Sequence, residues 1–180
     1  LADHHDVQGW TIARLAGHIA GQGIRPAAWE EAAQGAQGGI GHDALLFSWT
    51  GQGPGIAAAR RGHQVVMCPA QHLYFDMAHS ADPEDWGAAW AAFLPLEETV
   101  NWRVVPEGAE DIAPRIAGVQ GCFWAEFTTE DRQIEPMLAP RILGLACKAW
   151  ERAEATDGPR LRSLAAAYAP LFRRIGWQTA

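Results

Sequence analysis

Aromatic side chains, three times with an acid beside them, recur at four places along the chain: Trp29 with Glu30, Trp49, Tyr74 with Asp76, and Trp124 with Glu126. Three indoles and a phenol offer broad apolar faces with a polar rim, and the carboxylates accept hydrogen bonds from hydroxyls. Brought to one mouth, such a set suits a neutral, hydroxyl-rich ligand, with ring faces on the indoles and hydroxyls on the acids. The plainer reading of each tryptophan is core packing, and of Asp76 and Glu126 helix capping or surface ion pairing. Placement argues for the sharper reading, because three separate tryptophans fall at the ends of predicted strands.

Other chemistry-bearing residues form weaker patterns. His4-His5-Asp6 has ligand-type residues, but adjacent side chains seldom converge on one metal, so a solvated N-terminal segment is expected. His63, His72 and Cys68 meet no zinc spacing. Gly51-Gln52-Gly53-Pro54-Gly55 lacks the lysine and serine of a phosphate loop, and Pro54 removes a donor. Ser48 has no Gly-x-Ser-x-Gly context. Cys68, Cys122 and Cys147 are odd in number and widely spaced, which fits buried thiols better than a disulfide framework. No metal site and no cofactor are expected.

The elements that must position these residues follow from periodicity. Gly62 to Pro69 is a short apolar run closed by proline and reads as a buried parallel strand. If the chain stays extended beyond it, His72, Tyr74 and Asp76 alternate onto one side. Strands are also predicted at 24–29, 44–49 and 116–124, with a loose glycine-rich stretch at 32–41. Helices are predicted at 10–23, 56–61, 86–94 (behind the starter Asp82-Pro83-Glu84-Asp85), 140–154 and 160–175, the last kinked at Pro170. A short segment at 95–100 and a surface loop at 106–114 complete the chain.

Strands alternating with helices give the α/β class with a parallel sheet, whose ligands sit at the carboxyl ends of the strands. Four β/α units are half of a (β/α)8 TIM barrel, and a half barrel exposes two unpaired edges. The chain is therefore expected to cover about the last four β/α units of such a barrel, completed by an upstream half or by another chain. No repeat and no composition shift marks a second domain, so residues 1–180 read as one piece.

Composition bounds the rest. The chain has 180 residues, 48% hydrophobic and 19% charged, with nine tryptophans against two tyrosines. That is enough to bury a core. A net charge of −7, with Lys148 as the only lysine, argues against nucleic acid. No apolar run reaches the roughly 18 residues of a membrane span, and residues 1–20 lack signal-peptide order. The first residue is Leu and not Met, which leaves export and compartment open.

Five blocks in order carry a resemblance: Ala28-Trp29-Glu30-Glu31; Phe47-Ser48-Trp49; Gly62 to Pro69 with Tyr74-Phe75-Asp76; Gly118-Val119-Gln120-Gly121-Cys122-Phe123-Trp124-Ala125-Glu126; and Pro140-Arg141 before Trp150-Glu151-Arg152. Over essentially its whole length the chain resembles the family 20 glycoside hydrolases, the β-N-acetylhexosaminidases. The resemblance implies a (β/α)8 catalytic barrel that removes terminal β-linked N-acetylglucosamine or N-acetylgalactosamine with retention. The substrate's own acetamido oxygen is then the nucleophile, a substrate-assisted exception to the two-carboxylate rule.

By the same resemblance Trp29, Trp49 and Trp124 wall the acetamido group, with Trp124 also under the sugar ring. Tyr74 is the catalytic residue that hydrogen-bonds the attacking carbonyl, and Asp76 and Glu126 hold sugar hydroxyls. Phe75, Ala125 and Glu30 stand where the family commonly has leucine, serine or threonine, and aspartate. No Asp-Glu dipeptide, the family's acid and orienting pair, occurs in residues 1–180. The general acid is expected upstream of Leu1, and the fragment alone is expected to be inactive. The alternative is a non-catalytic N-acetyl-sugar-binding remnant or interaction module; an unrelated α/β enzyme with a tryptophan-rich core would have no affinity for such sugars.

Overall fold

A computed structural model describes residues 3–34, 39–152 and 155–180. In order, the elements are α1 (His4–Ala20), β1 (Ala27–Trp29), β2 (Leu45–Ser48), α2 (Gln52–Arg60), β3 (Gln64–Met67), α3 (Ala70–Leu73), β4 (Ile116–Val119), α4 (Ile134–Leu138), α5 (Ile142–Trp150) and α6 (Gly158–Arg174). The chain packs as two compact units, one of residues 1–67 and 105–118, the other of 68–104 and 119–180.

The first unit is built on the sheet, whose strand order is β1-β2-β3-β4. The first two pairings are parallel, with Trp29 opposite Phe47 and Ser48 opposite Met67. Leu46, Val65 and Met67 are fully buried on alternate positions, as a sheet covered on that face requires. Helix α2 lies close on this face: a Cβ at Gly55 would come within 2.8 Å of both Met67 Sδ and Ser48 Oγ, so only glycine allows that approach. Arg60 reaches Asp111 from α2 with Nε to Oδ2 at 3.0 Å, an exposed pair of small energetic weight.

In the second unit α5 and α6 pack with the 3-10 turn Leu96–Thr99. Thr99, Leu94 and Leu161 are fully buried there. Asp157 caps α6 by accepting the Arg160 N–H at 2.9 Å, and Pro159 sits in its first turn.

The structure corrects several expectations. There is no helix at 86–94: the Ala88 and Leu94 amides donate instead to the carbonyls of Asp76 and Ala78, both at 2.8 Å. Gly87, at φ +131°, cannot continue a helix. The chain beyond Pro69 is not extended either, because the Pro69 carbonyl accepts from His72 and Leu73 and starts α3. His4-His5-Asp6 lies in α1, with Asp6 buried and its amide bonded to the Asp3 carboxylate at 2.9 Å. The fourth strand stops at Val119, and Glu110–Arg115 forms a 3-10 turn where a loop was expected. Helix α6 runs on through Pro170. Parts of the stretches expected at 32–41 and 140–154 lie outside the described residues.

Candidate active site

In the first unit, Trp29 ends β1 and its half-buried ring meets Phe47, its register partner, edge-on at 5.8 Å. Glu30 follows and is 4% exposed. Its Oε2 accepts the Trp49 amide at 2.8 Å, and its Oε1 accepts the Thr50 amide at 3.2 Å and the Thr50 hydroxyl at 2.6 Å. The lone pairs of the two carboxylate oxygens accommodate all three donors. Glu30 therefore ties the end of β2 to the end of β1. Glu31 holds the other side of Trp49, accepting the indole N–H through Oε1 at 2.8 Å, while its buried Oε2 meets no donor among the described residues. Trp49 is fixed at backbone and ring together, and Glu31 is a residue that the sequence reading passed over.

In the second unit, Tyr74 follows α3 in extended conformation and pairs with Cys122 as an isolated parallel bridge. The Phe75 amide donates to the Cys122 carbonyl at 2.7 Å and the Cys122 amide to the Leu73 carbonyl at 2.8 Å. This bridge draws the residues after β3 and β4 together although both strands have ended. The Tyr74 ring, 3% exposed, lies edge-on to Trp90 at 5.9 Å and tilted to Trp124 at 6.2 Å. Burial, reinforced by the neighbouring Cys122 and Cys68 thiols, pushes the Tyr74 phenol well up, against a hydrogen bond with Trp124. The hydroxyl stays protonated at any ordinary pH and remains a donor.

Asp76 lies two residues on and is 6% exposed. Burial raises its pKa; the amides of Asp76 and Trp124 bond the charged form and pull it back, the Glu126 charge raises it, and Arg141 lowers it. Its Oδ1 is buried and meets no hydrogen-bond donor among the described residues. A carboxylate oxygen in that state is costly unless something supplies a donor. Trp124 is 39% exposed and Glu126 is exposed, so both present themselves to solvent.

The second unit thus brings Tyr74, Asp76 and Trp124 together, with Glu126 close enough for its charge to act on Asp76. Trp90 joins them, a residue from the segment read as helix. His72 does not: its ring stacks on Trp102 at 5.6 Å and its Nδ1 lies 2.9 Å from the Glu98 carbonyl oxygen. His63 stacks on His42 at 4.7 Å in the first unit. Among the described residues no group of three or more His, Cys, Asp and Glu could hold a metal ion, and no helix is long and apolar enough to cross a membrane.

The model for the catalytic domain of glycosyl hydrolase family 20 matches residues 1–153. The chain belongs to that family. An exo-β-N-acetylglucosaminidase of the family from Vibrio harveyi, solved in complex with N-acetylglucosamine, superposes with a TM-score of 0.89 at 29% identity, covering 99% of this chain and 28% of that one. The β-hexosaminidase of Vibrio furnissii is 30% identical over 146 residues, 80% of this chain and 24% of its own. That of Porphyromonas gingivalis is 30% identical over 152 residues, 83% of this chain and 19% of its own. The chain thus spans a quarter or less of the length of these curated relatives. Family 20 neighbours such as the Streptomyces coelicolor β-N-acetylhexosaminidase, with a TM-score of 0.80 at 24% identity, agree on the fold. The parallel sheet and its helices are part of a family 20 (β/α)8 barrel.

Proposed function

We propose that this chain is the substrate-cradling part of a β-N-acetylhexosaminidase, corresponding to about the last four β/α units of its barrel. It acts on glycans or chito-oligosaccharides that end in a β-linked N-acetylhexosamine. The reading rests on membership of the family, the names of the relatives, and above all one observation: the buried Asp76 oxygen that lacks a donor, beside an aromatic group of Tyr74, Trp90 and Trp124. A sugar hydroxyl is the donor that oxygen lacks, and a ring face is what the indoles receive.

Tyr74 donates to the acetamido carbonyl as it attacks the anomeric carbon, stabilising charge that develops only on the way to the transition state. Trp29 and Trp49 wall the acetamido group, holding its oxygen in place for attack, and Trp124 lies under the ring. Asp76 and Glu126 take sugar hydroxyls. The general acid comes from outside residues 1–180, either from an upstream half of the barrel or from another chain.

Chromophore release from a β-N-acetylglucosaminide by the 180-residue chain, beside the same chain extended upstream, tests this. Activity in the extended chain alone supports the roles given, while enzymatic rates from the 180 residues would mean that a carboxylate within them is the acid. A non-catalytic sugar-binding module is the second reading, favoured by the lack of an Asp-Glu dipeptide in this sequence. It predicts N-acetylglucosamine binding with no turnover in either chain.

A further inference from the structure

Among the described residues Arg141 is the largest side chain with no solvent exposure. It stands immediately before α5. Every branch of its guanidinium is used: Nε donates to the Met137 carbonyl at 2.9 Å, Nη1 to the carbonyls of Met77 at 2.8 Å and Leu94 at 3.0 Å, and Nη2 to those of Phe75 at 2.7 Å and Met137 at 2.5 Å. All these acceptors are backbone carbonyls; among the described residues no carboxylate is hydrogen-bonded to the guanidinium. Two of them, Phe75 and Met77, are the residues on either side of Asp76. The Phe75 ring also lies 5.8 Å from the guanidinium. A single rigid fork therefore sets the turn that carries Asp76, the closure of the following loop at Leu94 and the end of α4.

A buried cation with only dipoles around it still calls for an anion. Burial lowers Arg141 to about 10, and the charges that oppose this are Asp76 first and Asp85 second. Asp76 in turn feels Glu126 and Arg141, Cys122 responds to the Asp76 charge, and His79 responds to Arg141 and Asp85. Arg141 is the one cation among these that acts on Asp76.

We propose that Arg141 is the positioning residue of the site: it aims the Asp76 carboxylate by clamping the carbonyls of Phe75 and Met77, and supplies the positive charge that this buried anion needs. It touches no substrate and acts through Asp76. The proposal rests on the reading of Asp76 as the acceptor of a sugar hydroxyl.

The test uses the complete natural chain, a chromogenic β-N-acetylglucosaminide, and thermal melting to establish that each variant is folded. Arg141→Lys keeps the charge and loses the fork. KM is expected to rise about tenfold with a smaller change in kcat, while Arg141→Lys added to Asp76→Asn changes KM little further. Equal effects of Arg141→Lys with and without Asp76 would make Arg141 a merely structural residue and overturn the proposal. Arg141→Gln removes the charge, and the acid limb of kcat/KM is expected to move to higher pH while Arg141→Lys leaves it in place. An unmoved limb in a folded Arg141→Gln protein also overturns the proposal; where Arg141→Gln does not fold, the Lys cycle decides. If Asp76→Asn alone leaves KM unchanged, the reading of Asp76 fails first and the proposal falls with it.

Discussion

Tyr74 and Cys122 are bridge partners, so the phenol proposed to assist the reaction is anchored through its backbone to the segment that follows β4. The hydroxyl itself is kept protonated by burial and by the thiols of Cys122 and Cys68. Replacing Tyr74 by Phe leaves the bridge and the ring in place and removes one donor. In the complete enzyme, turnover is expected to fall about 10²–10³-fold with little change in KM. Steady-state kinetics decide it; unchanged turnover would remove Tyr74 from the mechanism.

Cys122 carries a second consequence of the same contact. A hydrogen bond from the Cys68 thiol, helped by Gln120 at 3.5 Å and by Tyr74, outweighs burial and brings Cys122 down to about 7. Thiolate is the reactive form, so alkylation should rise through neutral pH. Cys68→Ala, which removes the donor, should carry the midpoint of the iodoacetamide rate profile upward, read at Cys122 by peptide mass spectrometry. A profile that stays put would show that Cys68 is not the cause.

On the proposed role of Asp76 as acceptor of a sugar hydroxyl, its buried carboxylate is expected to set a pH dependence of sugar affinity. Its folded pKa is raised, so protonation begins above the ordinary aspartate range as the pH falls. The neutral acid is a weaker acceptor than the carboxylate, so affinity for N-acetylglucosamine should drop through that raised pKa and be restored above it. Calorimetric titration across pH measures this, and Asp76→Asn should flatten the curve. A dependence that survives in Asp76→Asn would belong to another group.

Glu30 is proposed to matter through Trp49 and not through substrate. Glu30→Ala leaves the amides of Trp49 and Thr50 and a hydroxyl without their acceptor, at a cost of about 2–4 kcal/mol. Urea unfolding should show the loss as a lower midpoint. A variant as stable as the parent would mean that water replaces the carboxylate.

Gly144 offers a purely steric test. A Cβ there would lie 1.8 Å from Thr99 Oγ1 and 2.6 Å from Thr99 Cβ, in a spot where Thr99 has no exposure. Gly144→Ala should destabilise by about 1–3 kcal/mol. Thr99→Ala should rescue only part of this, because the clash with Cβ remains, and melting temperatures of the single and double variants test the prediction.

The sheet was legible because its strands are apolar runs of the right length, and Leu46, Val65 and Met67 fill the positions that period two assigns them. Trp29 and Trp49 stand where the ends of β1 and β2 were expected. Tyr74 and Trp124 do not follow their strands directly; α3 and the Cys122 bridge intervene. A one-turn helix launched by Pro69 leaves no periodicity to read. The helix expected at 86–94 had a good starter and good spacing, yet Gly87 at positive φ and the pairing of Ala88 with Asp76 override local propensity. Trp90 was missed for the same reason. Neither the fan of donors on Glu30 nor the Arg141 clamp has a sequence signature, since their partners, apart from the Thr50 hydroxyl, are backbone groups that any residue could supply.

The loop between Ala78 and Leu94 is pinned at its base, where Ala78 donates to the Ala88 carbonyl at 2.7 Å and accepts from Leu94. Its far portion, residues 80–84, is exposed and is tied within itself by the Ser80 hydroxyl and the Asp85 carboxylate. Within this tip the Ser80 hydroxyl accepts the Asp82 amide at 3.1 Å and the Asp82 carboxylate accepts the Glu84 amide at 3.0 Å. The turn is thus closed on itself, so exchanges at Ala81 and Pro83 are expected to alter the surface while the Ala78–Ala88 pairing behind Asp76 stays in place.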